Sequence, residues 1–163
     1  MEKKTIPSFT IDHTRLRRGV YVSRKDYVAN EVLMTYDIRV KTPYSNSPEE
    51  TPMTPEMSHT IEHLGATWLR NNPEIADKVI YFGPMGCLTG FYLIMKGTED
   101  MVAKELVREM MVSIVANYDN GDKEIPGCSM IECGNYKLND LDGAISLLRE
   151  FAACYDEWDE EYR

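Results

Sequence analysis

No stretch of the sequence approaches the eighteen or so consecutive apolar residues that a membrane-spanning helix requires. Positive charge is also in deficit, with 18 Lys and Arg against 27 Asp and Glu and a formal net charge of −9. The first absence excludes a helical membrane anchor. The second argues against nucleic acid or an anionic membrane as a main partner, because an acidic surface repels both. The opening Met1-Glu2-Lys3-Lys4-Thr5-Ile6-Pro7-Ser8 is basic but lacks the apolar region of a secretory leader, so a cytoplasmic protein is expected. Internal repeats, low-complexity tracts and an interdomain linker are missing too. With 163 residues at 43% hydrophobic composition, residues 1–163 read as one domain with a single core. The four cysteines, Cys87, Cys128, Cys133 and Cys154, are expected to be reduced thiols, available as ligands or proton carriers.

Histidine is scarce as well: there are three, and two of them fall in His59-Thr60-Ile61-Glu62-His63. A helix of about 3.6 residues per turn stacks His59 above His63, so two imidazoles can grip one divalent metal from one face. Glu62 is close enough round the helix to serve as a base. The H-x-x-E-H order occurs among inverzincin peptidases, so the motif indicates metal chemistry and leaves the reaction open.

Residues Glu31 to Val40 alternate, with Val32, Met34, Tyr36, Ile38 and Val40 on one side, and read as a strand. Val20-Tyr21-Val22 reads as a shorter strand before it, joined through Ser23-Arg24-Lys25-Asp26. Lys41 to Pro52 reads as a loop. Thr54 is expected to cap a helix that starts with Pro55-Glu56, runs to about Asn71 and carries the metal motif opposite an apolar stripe of Ile61, Leu64, Trp68 and Leu69. Val79 to Phe82 and Thr89 to Lys96 read as further strands, and Gly83-Pro84-Met85-Gly86-Cys87 as a turn that presents a thiol. A helix capped by Thr98 and running to about Asn117, and a last amphipathic helix from Asn139 or Asp140, complete the pattern. The expected class is α+β, a layered sandwich with a mainly antiparallel sheet packed against helices.

A catalytic metal needs a third protein ligand and an open position. Cys133, followed by Gly134, suits a borderline divalent ion, with Cys128 as the competing thiolate. Cys87 is an inert small side chain or, beside a metal or an arginine, a proton carrier. Arg39 is a surface ion-pair partner of Asp37 or an anchor for a substrate oxygen.

Taken in order, Ser8-Phe9, Asp12-His13, Tyr36-Asp37-Ile38-Arg39, His59-Thr60-Ile61-Glu62-His63, Pro84-Met85-Gly86-Cys87-x-Thr89-Gly90 and Cys133-Gly134 closely resemble the LuxS-type S-ribosylhomocysteine lyases of autoinducer-2 synthesis. The resemblance spans nearly the whole chain. It implies a metal held by His59, His63 and Cys133 plus water, with iron(II) as native ion and zinc or cobalt as substitutes. Glu62 and Cys87 would be the acid/base groups, and Ser8, Phe9, His13 and Arg39 the substrate contacts. It further implies S-ribosylhomocysteine as substrate, homocysteine and 4,5-dihydroxy-2,3-pentanedione as products, and a homodimer with shared active sites.

Three features depart from that family's usual pattern. Tyr81-Phe82-Gly83 stands where Asp-Ile-Ser is common, Asn139 replaces a usual His, and Gly65 interrupts the metal helix, where glycine costs up to about 1 kcal/mol relative to alanine. Two competing readings remain. One is a metallopeptidase, in which Glu62 activates a metal-bound water and Cys87 is not needed. The other is a non-enzymatic metal-binding module with Cys128 closing the fourth position.

Overall fold

The structure, a computed structural model, describes residues 6, 9–43, 46–98, 101 and 103–162. Strands β1 (Gly19–Val28) and β2 (Glu31–Arg39) form an antiparallel hairpin. Helix α1 (Pro55–Asn71) follows, then β3 (Val79–Pro84), β4 (Gly90–Lys96), α2 (Ala103–Asp119) and α3 (Leu141–Ala153). The four strands form one antiparallel sheet in the order β1-β2-β4-β3. The α+β class and the antiparallel sheet read from the sequence are those of the structure.

The alternation in β2 decides the core. Met34, Tyr36 and Ile38 join Phe91, Leu93 and Met95 of β4 in a cluster with Val107, Met110 and Met111 of α2 and Ala144, Leu148 and Phe151 of α3. Period-2 burial places all the β2 and β4 members on one face of the sheet, where the helices cover them. The other face carries Thr35, Asp37 and Arg39 in register with Ile94, Tyr92 and Gly90. It leads directly to the chemistry.

One boundary differs from the sequence reading. Ser23 to Asp26 is not a connection: β1 runs on to Val28, and the turn is Ala29-Asn30, with Ala29 in the left-handed region at φ 54°. A bulge between Val22 and Arg24 admits the extra residue. The charged stretch suits an edge strand, where charges discourage pairing with other chains and Arg24 pairs with Asp26 at 2.5 Å. The cap expected at Thr98 is decided by residues 99, 100 and 102, which lie outside the described residues; α2 is described from Ala103. Thr98 is buried, and its carbonyl accepts a 2.9 Å hydrogen bond from the Tyr36 hydroxyl.

The predicted stripe on α1 is also corrected. Ile61 and Leu69 are fully buried, but the rest of the buried set is Ser58, Thr60 and Gly65, while Leu64 and Trp68 are only partly covered. Small and polar residues carry no hydrophobic signal, and here they allow close approach. A Cβ on Gly65 would lie 2.5 Å from Cε1 of Phe82, so Gly65 and Phe82 fit each other and the helix rests directly on β3.

Candidate metal centre

The Thr54 hydroxyl accepts from the Met57 backbone N–H at 3.1 Å, and Pro55 opens the first turn of α1. This cap fixes where the helix starts and so the phase at which His59 and His63 leave it. Their Nε2 atoms lie 3.1 Å apart, and Cys133 Sγ is 3.3 Å from His59 Nε2. The three ligand atoms all fall within 4.8 Å of one another, and they form the one such group of His, Cys, Asp or Glu among the described residues.

The tautomers follow from the outer contacts. His59 Nδ1 is 2.7 Å from the Leu138 carbonyl, and His63 Nδ1 is 2.7 Å from the Pro126 carbonyl. A carbonyl can only accept, so each Nδ1 carries the hydrogen and a neutral ring is left with a lone pair on Nε2. The two Nε2 lone pairs then face each other at 3.1 Å with no hydrogen between them, a repulsion that a shared cation relieves, and the Cys133 sulfur stands beside them as a third donor atom. The donor set therefore fits a metal ion, and its two imidazoles and one thiolate suit a borderline or soft divalent ion.

The face of α1 that the sequence leaves uncovered is closed by the chain itself. Residues 126–139 fold over it, and they are organised by their own polar contacts. The Cys133 N–H donates to the Ser129 carbonyl at 2.9 Å, and the Asn139 amide donates to the Tyr136 carbonyl at 2.7 Å and to Cys128 Sγ at 3.1 Å. Cys128 in turn donates to the Tyr136 carbonyl. Cys128 is thus engaged by Asn139 and Tyr136, lies outside the ligand group, and does not close a fourth position. Thr60 ties this segment to α1: its hydroxyl donates to the Glu56 carbonyl at 2.8 Å and accepts from the Asp140 N–H at 3.0 Å. Gly127, at φ +69°, passes so close that an added Cβ would be 3.2 Å from His63 Nδ1.

A second cluster forms where β2 and β3 end and β4 begins. Arg39 is not a surface residue: it is 3% exposed and Asp37 is 0% exposed. Arg39 Nη2 donates to Asp37 Oδ2 at 3.0 Å, and Nε lies 2.9 Å from Oδ1 as an ion pair too bent for a hydrogen bond. Nη1 donates to Thr89 Oγ1 at 2.6 Å and lies 3.6 Å from Cys87 Sγ, which is itself 3.1 Å from Thr89 Oγ1. Burial pushes the Cys87 thiol up, but the Thr89 hydroxyl and N–H and the Arg39 charge outweigh it and hold the thiol below its ordinary range. The Met53 N–H donates to the Leu88 carbonyl at 2.9 Å. That bond joins the Cys87 turn to the residue just before the Thr54 cap, so the thiol and the metal helix share one anchored joint.

Glu62 and His63 line one small recess with Ala66, Thr67, Pro126 and Gly127. His13 Nδ1 bonds the Ile11 carbonyl at 2.9 Å and is not a member of the ligand group. Phe9 is 74% exposed. Ser8 lies outside the described residues. Thr60, the tie between helix and metal loop, and Thr89, the partner of the thiol, fall within motifs named from the sequence but carry no expected role there, because spacing and periodicity do not reveal a threonine's hydrogen-bond partners.

Comparison with known proteins gives a consistent result. A family model described as S-Ribosylhomocysteinase (LuxS) matches residues 6–162. The chain is 53% identical over 141 residues to a protein of Phocaeicola vulgatus named S-ribosylhomocysteine lyase, covering 85% of this chain and 81% of that one. Proteins of the same name are similar in Desulfotalea psychrophila, at 54% over 143 residues and 86% and 83% of the two chains, and in Borreliella burgdorferi, at 50% over 141 residues and 86% and 85%.

Proposed function

The chain belongs to the S-ribosylhomocysteinase (LuxS) family, and from that premise we propose that it is a carbon–sulfur lyase cleaving S-ribosylhomocysteine to homocysteine and 4,5-dihydroxy-2,3-pentanedione, the autoinducer-2 precursor. Residues 1–163 act as a single metal-dependent lyase domain. The observation that carries this reading is the pairing of a His59/His63/Cys133 ligand group with a thiol, Cys87, that Arg39 and Thr89 hold below its ordinary pKa range.

His59, His63 and Cys133 hold one divalent ion, iron(II) in the native protein with zinc or cobalt as substitutes. When bound, the ion supplies Lewis-acid stabilisation to the oxygens on which enediolate charge develops. Glu62 and Cys87 divide the proton transfers. Each abstraction is next to a carbonyl, so one group takes a proton from carbon while the other returns one, and the carbonyl moves from the first to the third ribose carbon through enediolates. β-Elimination then follows: the proton on the fourth carbon is removed, and a double bond forms between the fourth and fifth carbons as the C–S bond breaks. Homocysteine leaves as a thiolate that is protonated on release, and the resulting enol takes a proton on its terminal carbon to give the dione. Arg39, charged and fixed by Asp37, steadies the thiolate form of Cys87 and anchors a substrate oxygen. Ser8, Phe9 and His13 complete the substrate contacts. A peptidase would have no use for an activated thiol beside the metal helix, which favours the lyase.

The working unit is a homodimer with shared active sites. Phe9, Met130 and Ile131, large apolar side chains at 74%, 76% and 92% exposure, support a partner surface at the N-terminal segment and the metal loop. A cytoplasmic location accords with four unpaired thiols.

The test separates binding from chemistry. His59→Ala, His63→Ala and Cys133→Ala should each lose most of about one metal per chain. Glu62→Gln and Cys87→Ala should keep the metal and lose at least about 10² in turnover. A Cys87→Ala enzyme with near-normal rate would remove Cys87 from the reaction.

A further inference from the structure

The Asp37–Arg39 pair has a third partner from the far end of the chain. The Tyr162 hydroxyl donates to Asp37 Oδ2 at 3.1 Å, the same oxygen that accepts from Arg39 Nη2. The segment after α3 is built to bring it there. Trp158 is buried, stacks on Phe151 at 3.9 Å between centroids, and donates its indole N–H to the Phe151 carbonyl. Asp159 then bridges to Gly19 at the start of β1, where the Val20 N–H donates to the Asp159 carbonyl at 2.9 Å. The approach is so close that a Cβ on Gly19 would lie 2.0 Å from the Asp159 carbonyl oxygen, so glycine is required there. Finally the Tyr162 ring stacks on the buried Tyr21 at 4.7 Å and 6°. Burial pushes the Tyr162 hydroxyl well up, with Asp37 adding to it, so it remains a donor at every pH the protein meets.

We propose that Tyr162 is a positioning residue for Cys87, acting through Asp37 and Arg39. The contact at the end of this series is the weakest: Arg39 Nη1 reaches Cys87 Sγ at 3.6 Å, against 2.6 Å to Thr89. Small changes in the guanidinium's seat therefore fall on the thiol. With the Tyr162 hydroxyl present, Asp37 Oδ2 shares its charge between two donors and Arg39 keeps Nη1 directed at Cys87 and Thr89. Without it, Asp37 draws harder on the guanidinium, and water gains access to a pair that excludes it. Both changes weaken the support that Arg39 gives the thiolate.

The functional part of this proposal rests on Cys87 being an acid/base group, but its primary readout does not. Metal-loaded wild type, Tyr162→Phe and Tyr162→Ala are alkylated with iodoacetamide across pH, and modification of Cys87 is followed by mass spectrometry of its own peptide, which separates it from the other three thiols. Tyr162→Phe keeps the stacking on Tyr21 and removes only the hydroxyl. Its Cys87 midpoint should move up by about half a unit, a roughly threefold slower alkylation at neutral pH, and Tyr162→Ala should move it further. Turnover of S-ribosylhomocysteine should fall in the same order. Midpoints unchanged in both variants would overturn the proposal, even if Tyr162→Ala melts earlier, because the tail would then be merely structural. A shifted midpoint together with full turnover in Cys87→Ala would leave the positioning role standing and refute the lyase role of Cys87 instead.

Discussion

Replacing Gly65 by alanine sets two effects of opposite sign against each other, and the structure decides between them. In a helix interior, alanine is favoured over glycine by about 1 kcal/mol, so α1 taken alone should gain stability. The new methyl, however, would sit 2.5, 3.0 and 3.2 Å from three carbons of the Phe82 ring. That ring is 5% exposed and stacked on the fully buried Phe91 at 5.2 Å, so it has no open space to swing into. Overpacking of this kind costs about 1–3 kcal/mol, and the net change should be a loss of about 1 kcal/mol. Because α1 carries His59 and His63, whose rings bond the Leu138 and Pro126 carbonyls of the metal loop, lifting the helix from β3 should also weaken metal retention. Urea unfolding of the metal-free protein measures the first effect, and chelator competition the second. Phe82→Leu supplies the room, so the Gly65→Ala/Phe82→Leu double variant should be more stable than the sum of the single changes, with a coupling of about 0.5–3 kcal/mol. If Gly65→Ala stabilises the protein by about the helix-propensity increment, or if the two changes add, the close packing of α1 on β3 is wrong.

Thr60→Val removes the hydroxyl that accepts from the Asp140 N–H at 3.0 Å, leaving that partly buried donor without its acceptor. It should cost about 1–3 kcal/mol in denaturant unfolding, where an exposed threonine would cost almost nothing. A shared active site is tested by mixing His59→Ala and Arg39→Ala chains. If Arg39 serves the partner's metal, random exchange makes about half the dimers mixed, each with one intact site of two, and roughly a quarter of wild-type activity returns. Because Arg39 lies against Cys87 of its own chain, a His59→Ala and Cys87→Ala mixture must behave the same way. Recovery in one mixture without the other would contradict that contact.

The elements that could be read from the sequence were those with a strong period or a strong cap. The alternation of β2 and the Thr54-Pro55-Glu56 start of α1 placed the sheet and the ligand helix within a residue, and H-x-x-E-H with Cys133 marked the groups that the fold brings within reach of one another. Legibility failed where the physics is not local. The second half of β1 is charged because it is an edge, and the buried face of α1 adds Ser58, Thr60 and Gly65 to Ile61 and Leu69 because closeness as well as hydrophobicity is needed there. Gly65, a weakness by propensity, is the residue that Phe82 requires. Arg39 beside Asp37 has the pattern of a surface pair, yet the pair is buried, and Tyr162, more than a hundred residues later, bonds its carboxylate. Asn139, a departure from the family's usual histidine, is a donor that organises Cys128 and Tyr136 rather than a gap in the site.

The central claim is that this chain breaks the C–S bond of S-ribosylhomocysteine with a metal held by His59, His63 and Cys133 and protons carried by Glu62 and Cys87. Its most direct test is anaerobic incubation of the iron(II)-loaded protein with S-ribosylhomocysteine while free thiol and 4,5-dihydroxy-2,3-pentanedione are both quantified. The two products should appear together in equal amounts, chelation should stop both, and Cys133→Ala should form neither. Full metal loading with no thiol released, or thiol released at an unchanged rate by the metal-free protein, would contradict it.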